Sequence, residues 1–372
     1  MLIGVPKEIK VHEYRVGLAP ESVRELTGRG HRVVMEQDAG AGIGAGDADY
    51  RSAGATVVAT AEAVFAQAEL IVKVKEPLAR ERALLHPGQA LFTYLHLAPD
   101  AEQTRDLVAS GTIAIAYETV TSPRGGLPLL APMSEVAGRM AIQVAAHHLE
   151  RPHGGRGVLI SGASGVQPAR ILVLGPGVVG SNAARVGIGM GAEVVVLGQS
   201  AESLWRLSSE LGPRLRTAIS STATIEQELR GADAVIGAAL VPGALAPKLV
   251  TRAMLSVMKP GAVMVDVAID QGGCFETSHP TTHADPVYEV DGILHYCVAN
   301  MPGAVPRTST YALSHATLPF VMELADRGIT QALRENEHLR NGLNVCRGVV
   351  TRREVAEARG YVHMEPLQAL GV

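Results

Sequence analysis

The sequence predicts an α/β protein of two domains, each a doubly wound and mostly parallel sheet. Three observations carry that expectation. Short apolar runs alternate with segments of helical character along most of the 372 residues. Forty glycines beside only four Phe and one Trp favour tight turns and close packing of small residues. In the stretch 169–198 an apolar run leads into Gly175, Gly177 and Gly180, spaced G-x-G-x-x-G, and then into a helix and a second apolar run.

Residues 2–5 read as the first strand. Residues 20–26 read as a helix, with Pro20 in its first turn and Gly28 and Gly30 beyond its end. Strands follow at 31–36, 70–74, 90–94 and 112–116, separated by helices at 61–66, 80–85 and 100–110. Met133, Val136, Met140, Val144 and His147 recur at helical spacing, so a long helix is expected over 133–149. A Pro- and Gly-rich link precedes it at 122–128, and Gly154, Gly155 and Gly157 follow. The second layer takes strands 171–174, 194–197, 234–238, 262–267 and 294–298, with helices at 202–210, 224–229 and 248–257. From Arg307 the chain reads as helical through 317–326 and 329–339, with no new strand series, and its expected use is to return to the first domain. The expected domains are 1–128 with 307–372, and 129–306.

Lys and Arg total 33 against 37 Asp and Glu, a net charge of −4, and no basic stripe with interleaved aromatics is present. Nucleic acid is therefore not an expected partner. The N-terminus lacks a basic-then-apolar signal pattern, and no stretch approaches about 18 uninterrupted apolar residues, so a cytoplasmic protein without a membrane partner is expected. Cys274, Cys297 and Cys346 are too scattered for a disulfide framework. Thirteen histidines contain no H-E-x-x-H pattern, and no metal site is expected.

The glycines have separate tasks: a tight turn at Gly175, close approach of a pyrophosphate at Gly177, and close helix packing at Gly180. The helix start, with Val178 and Val179, presents free N–H groups and the positive end of its dipole. An Asp or Glu normally ends the second strand and holds the ribose hydroxyls of NAD; here Gly198 occupies that place. In doubly wound sheets ligands sit beyond the carboxyl ends of strands, which selects Lys75, His96, Asp270 and Asn300, with Arg15 as a guanidinium suited to a carboxylate. Bland readings stand beside these. Lys75 also reads as a solvated charge, His96 as a core histidine, and Asp270 as a turn or cap carboxylate.

Arg15 in EYRVGLAP, Lys75 in KVKEP, His96 in FTYLHLA, Glu118 in AYETV, LLAPMSEVAGRMA at 129–141, the glycine fingerprint, LVPGALAPKLV at 240–250, VDVAIDQGGCFE at 265–276 and YCVANMPGAVPRTSTYAL at 296–313 together resemble the bacterial alanine dehydrogenase family. The resemblance is collinear over essentially the whole chain. It implies two Rossmann-like doubly wound domains with the active site in the cleft between them, and reversible conversion of L-alanine, NAD and water to pyruvate, ammonia and NADH. It also implies that Arg15 and Lys75 hold the substrate carboxylate, that His96 and Asp270 handle protons, and that Tyr94 and Met133 wall a small pocket. Cofactor contacts are implied at Ser134, Gly175, Gly177, Val178, Val179, Gly180, Gly198, Ser220, Ala239, Leu240, Val267, Asp270, Val298, Asn300 and Met301, and a homohexamer is the family's usual assembly. Two departures accompany the match: Ala163 and Ser164 stand where valine and proline are more usual, and Gly198 replaces an Asp, which leaves NADP use open. The alternatives are a nucleotide-binding module of the transhydrogenase kind and a related opine- or saccharopine-type amino-acid dehydrogenase.

Overall fold

Apolar runs flanked by turn residues form the strands of two sheets. The computed structural model describes residues 1–239 and 246–371, so Leu240 lies outside the described residues. The strands of the first sheet are β1 (Leu2–Val5), β2 (Arg32–Glu36), β3 (Thr56–Val58), β4 (Leu70–Val72), β5 (Ala90–Thr93) and β6 (Ile113–Ala116). Those of the second are β7 (Arg170–Leu174), β8 (Glu193–Gly198), β9 (Leu215–Ile219), β10 (Ala234–Gly237), β11 (Val263–Asp266), β12 (Val287–Val290) and β13 (Ile293–Tyr296). Two late strands, β14 (Leu343–Cys346) and β15 (Val349–Val350), join the first sheet.

The first sheet runs β15-β14-β6-β5-β4-β1-β2-β3, and the second β12-β13-β11-β10-β7-β8-β9. In each, six parallel strands take the order 3-2-1-4-5-6 of a doubly wound dinucleotide-binding fold. Antiparallel strands extend one edge of each sheet. The chain divides into two compact units, Met1–Met133 with Gly303–Val372, and Ser134–Pro302. One core of the first unit packs Val64, Phe65, Ile71, Leu91, Leu107 and Val345. The second packs Leu172, Leu197, Leu229, Val235, Met264 and Phe275. No helix among the described residues is long and apolar enough to cross a membrane.

Several expectations need correction. The segment after Arg307 does contain strands: β14 and β15 form a hairpin whose turn residues Arg347 and Gly348 have φ of 49° and 93°. β14 pairs antiparallel with β6. That turn lacks the Asn-Gly or Asp-Gly signal, which concealed it. β12 carries no such excuse, because Asp291-Gly292 joins it to β13 with positive φ at both residues. β3, β9 and the helix Asp47–Ser52 were also not foreseen, being short and half-polar. The expected helix at 248–257 is only a 3₁₀ segment, Arg252–Val257. Val250 instead bridges Phe275, and Lys248 donates to the Phe275 carbonyl at 3.0 Å, which holds the preceding chain extended. The helical reading from Arg307 through 317–326, by contrast, agrees with the helix Pro306–Arg327, which contains Pro319.

Candidate functional site

In the first unit, the strand order reverses between β1 and β4, and the segments leaving the carboxyl ends of β1, β4, β5 and β6 carry four candidate groups side by side. Arg15 follows β1 and is buried. Its Nε and Nη2 donate to Glu13 Oε1 and Oε2 at 2.7 and 2.5 Å, and Nη1 reaches Met133 Sδ at 3.0 Å. Burial opposes the guanidinium charge, and Glu13 more than offsets it, so the Arg15 pKa is raised. Two of its donors are thus committed to orientation, and Nη1 meets the weak thioether acceptor of Met133.

β4 is followed by Lys73 and Lys75. Lys73 is buried, with Nζ 2.6 Å from Glu81 Oε1 and 3.2 Å from Glu8 Oε2. It is therefore structural and does not face the open edge of the sheet. Burial raises the Glu8 pKa against the pull of Lys73 and of the Val74 N–H. The other Glu8 oxygen accepts from Val74 N and Lys75 N at 2.7 and 3.3 Å, and Thr93 Oγ1 donates to Lys75 O at 2.9 Å. The Lys75 backbone is held on both sides, and its side chain is half-buried.

β5 delivers Tyr94 and His96. Burial raises the Tyr94 pKa, and its hydroxyl donates to Leu129 O at 2.5 Å. The Tyr94 and His96 rings stack at 6.0 Å and 7°. His96 is not a core histidine: its side chain is 49% exposed and its φ is +51°, a left-handed conformation uncommon for a non-glycine residue. The cause lies at the end of β6. Glu118 accepts His96 N at 2.7 Å and Leu95 N at 3.2 Å, and lies 3.9 Å from His96 Nδ1. Glu13, Glu8 and Glu118 were given no role from the sequence. The strand-end rule that selected His96 would have found Glu118 as well.

In the second unit the order reverses between β7 and β10, and the glycine turn lies there. Gly175 has φ +115°, and a Cβ on it would lie 2.6 Å from Ala238 O after β10. A Cβ on Gly180 would strike Gly175 O, so the helix Val178–Gly189 sits directly on the turn. Gly177 is different: a Cβ there would meet open space. It is the N-cap of a helix with no side-chain cap, so the first-turn N–H groups, including those of Val178 and Val179, lack carbonyl partners within the helix. This arrangement fits a phosphate.

The remaining candidates surround that edge. Gly198 is buried, and its carbonyl accepts Ser220 N at 2.8 Å. A Cβ at Gly198 would lie 2.8 Å from the Pro176 ring. Ser200 Oγ caps the next helix by accepting Ser203 N, leaving Gln199 as the exposed polar residue beside it. Ala239 O accepts Cys274 Sγ at 3.5 Å, and Val267 N donates to Gly237 O at 3.0 Å. Val298 and Met301 are buried, and Asn300 has φ +65° and accepts at its carbonyl from His283 Nε2 at 3.2 Å. Ser134 lies in the first turn of the helix Ala131–His148.

Asp270 is exposed on the 3₁₀ turn Ile269–Gln271. Beneath that loop Asp266, unassigned from the sequence, is fully buried. It accepts Ala268 N, Cys274 N, Phe275 N and Ser278 Oγ at 3.2, 2.8, 3.3 and 2.5 Å. A Cβ on Gly273 would lie 2.6 Å from Asp266 Oδ2, so the second glycine of the loop makes room for that carboxylate.

A 3-2-1-4-5-6 sheet with this glycine turn at its switch point defines an α/β protein of the dinucleotide-binding class. The description "Alanine dehydrogenase/PNT, N-terminal domain" matches residues 4–137, and "Alanine dehydrogenase/PNT, C-terminal domain" matches 141–353. The chain belongs to the alanine dehydrogenase/PNT family. It is 58% identical over 371 residues to an alanine dehydrogenase from Halomonas elongata, covering 100% of both chains. A solved L-alanine dehydrogenase superposes with a TM-score of 0.93 at 50% identity, over 96% of this chain and 99% of that one. A transhydrogenase from Sinorhizobium meliloti is more distant, at 27% identity and TM-score 0.82, covering 94% of this chain and 100% of that one.

Proposed function

We propose that the protein is an L-alanine dehydrogenase, catalysing reversible oxidative deamination of L-alanine to pyruvate and ammonia with a nicotinamide dinucleotide. The observation that carries this reading is the 58% identity to an alanine dehydrogenase along the full length of both chains. The dinucleotide, held at its pyrophosphate by Gly175, Gly177, Val178, Val179 and Gly180, supplies the two-electron acceptor when bound.

Arg15 and Lys75 bind the substrate carboxylate. Glu13 orients the Arg15 guanidinium, and at Nη1 exchange of the Met133 Sδ contact for a carboxylate oxygen makes a stronger hydrogen bond. Lys75 also polarises the oxygen that becomes the pyruvate carbonyl. His96, exposed and oriented by Glu118, takes the proton released when water adds to the imine carbon, and returns one as ammonia leaves. Asp270 is the second proton-handling group. Tyr94 and Met133 leave room for a methyl side chain; one added methylene is discriminated by about 1–3 kcal/mol.

The coenzyme is NAD, with weak rejection of NADP, because Gly198 provides neither the ribose acceptor nor the charge that repels a 2′-phosphate. The protein works in the cytoplasm as a homohexamer of the 39.0 kDa chain.

Initial rates of NADH oxidation with pyruvate and ammonium test the reading, beside alanine oxidation with NAD and NADP. Turnover in both directions is expected. NADH binding without amination of pyruvate would instead identify a nucleotide-binding module.

A further inference from the structure

The helix Ala131–His148 ends in the sequence His147-His148-Leu149-Glu150-Arg151-Pro152-His153-Gly154-Gly155. The chain there folds back on the helix end. Glu150 N donates to His147 O at 3.2 Å, His153 N to Glu150 O at 3.1 Å, and the 3₁₀ turn Arg151–His153 closes on Gly154 at φ +88°. Gly155 lies so close to the His148 carbonyl that no side chain fits. This tight reversal, not helical spacing, brings His153 onto His147, with ring centroids 3.8 Å apart, and puts Glu150 Oε2 3.6 Å from His153 Nε2.

One donor atom from each of His147, Glu150 and His153 lies within 4.8 Å of the others, and all three side chains are exposed. We infer that these three residues form a surface site for a divalent transition-metal ion of the zinc class, bound through two imidazoles and one carboxylate. The donor set is one that zinc takes, with bonds of about 2.0–2.2 Å, and a fourth position stays open to water. Exposed side chains draw in to those lengths by small rotations. Magnesium and calcium, which require oxygen ligands, are excluded by the same chemistry. The ion would sit at the negative end of the helix dipole and staple the last turn of the helix to the reversal that follows.

The test uses the untagged full chain at pH 7.5, dialysed against zinc with magnesium as the control, with bound metal counted per chain and the melting temperature followed in parallel. One zinc per chain and a melting temperature that rises with zinc concentration are expected. His147→Ala and His153→Ala should each weaken binding by more than the roughly 10–100-fold that loss of an outer-shell partner costs, and abolish the zinc-dependent rise. Glu150→Gln should weaken binding less, because an amide oxygen still ligates. Absence of one-to-one zinc binding overturns the inference, as does unchanged binding in the His147→Ala/His153→Ala double variant, which places the ion elsewhere.

Discussion

A single carboxylate, Glu118, accounts for the left-handed backbone at His96. A non-glycine residue at φ +51° carries strain of about 1–3 kcal/mol, and Glu118 offsets it by accepting the two consecutive N–H groups of Leu95 and His96. Glu118→Ala should therefore let His96 relax. The expected result is a fall in kcat of about 10²-fold, the scale of a displaced acid–base group, with NADH affinity by fluorescence unchanged. Glu118→Gln, which retains an acceptor, should recover part of the rate; an equal loss of NADH affinity would reduce Glu118 to a folding role. Gly198 makes a second case. The Cβ of any replacement would lie 2.8 Å from the Pro176 ring, so glycine at 198 and proline within the glycine turn are coupled choices. Gly198→Asp alone is expected to lower the melting temperature, because a proline ring cannot swing aside. With Pro176→Ala added, stability should return and the ratio of kcat/KM for NAD over NADP should rise about tenfold, close to one charge–phosphate interaction. A rise in that ratio without any thermal cost in the single variant would show that the Pro176 contact yields.

Among the elements, the loop from β11 to Phe275 depends most on one residue. Asp266 satisfies three backbone N–H groups and the Ser278 hydroxyl from a fully buried position, and so shapes the turn that presents Asp270. Burial raises its pKa and those four donors pull it back. Asp266→Asn exchanges an acceptor oxygen for a donor that faces N–H groups, at a cost of about 1–3 kcal/mol in urea denaturation. Faster amide exchange confined to 267–278 should accompany it; uniform exchange across the second unit would point to a general core defect. Asp266 also shows what the sequence conceals. Lone acidic residues such as Asp266 and Glu13 reveal their partners only in three dimensions, whereas the apolar runs of β1, β4, β7 and β8 announce themselves by composition. The less legible elements include short ones, β3, β9 and the helix Asp47–Ser52, and the hairpin strands β14 and β15, whose turn at Arg347-Gly348 is atypical; β12 is different, since Asp291-Gly292 is an ordinary hairpin signal. The proposed site residues at strand ends were selectable because a doubly wound sheet puts ligands there. Glu118, directly after β6, was selectable by the same rule, whereas Glu8 and Glu13 were not, because their orienting role depends on distances that spacing does not encode.

For the molecule as a whole, buried ionisable groups make stability depend on pH in two opposing ways. His295 is fully buried, with Nδ1 donating to Ile293 O at 3.0 Å and Nε2 accepting from Thr277 Oγ1 at 2.7 Å, so both nitrogens are satisfied in the neutral ring. Burial lowers its pKa. A neutral buried histidine contributes stability that is complete above the unfolded-state value of about 6.5 and is lost as pH falls below it, by at most about 1.4 kcal/mol per pH unit. Glu8 and Asp266 act with the other sign: burial raises their folded pKa values, so they favour the native state at low pH and lose that contribution as pH rises. A single acid titration of the wild type therefore mixes both. The difference between wild type and His295→Gln cancels the carboxylates and isolates the histidine. Urea midpoints at half-unit steps from pH 7.5 to 5.5 should show the advantage of the wild type constant above pH 7 and shrinking steadily below 6.5. A difference that stays flat across this range would mean that His295 accepts a proton in the folded protein as readily as in the unfolded chain, and that the Ile293 and Thr277 hydrogen bonds do not hold it neutral.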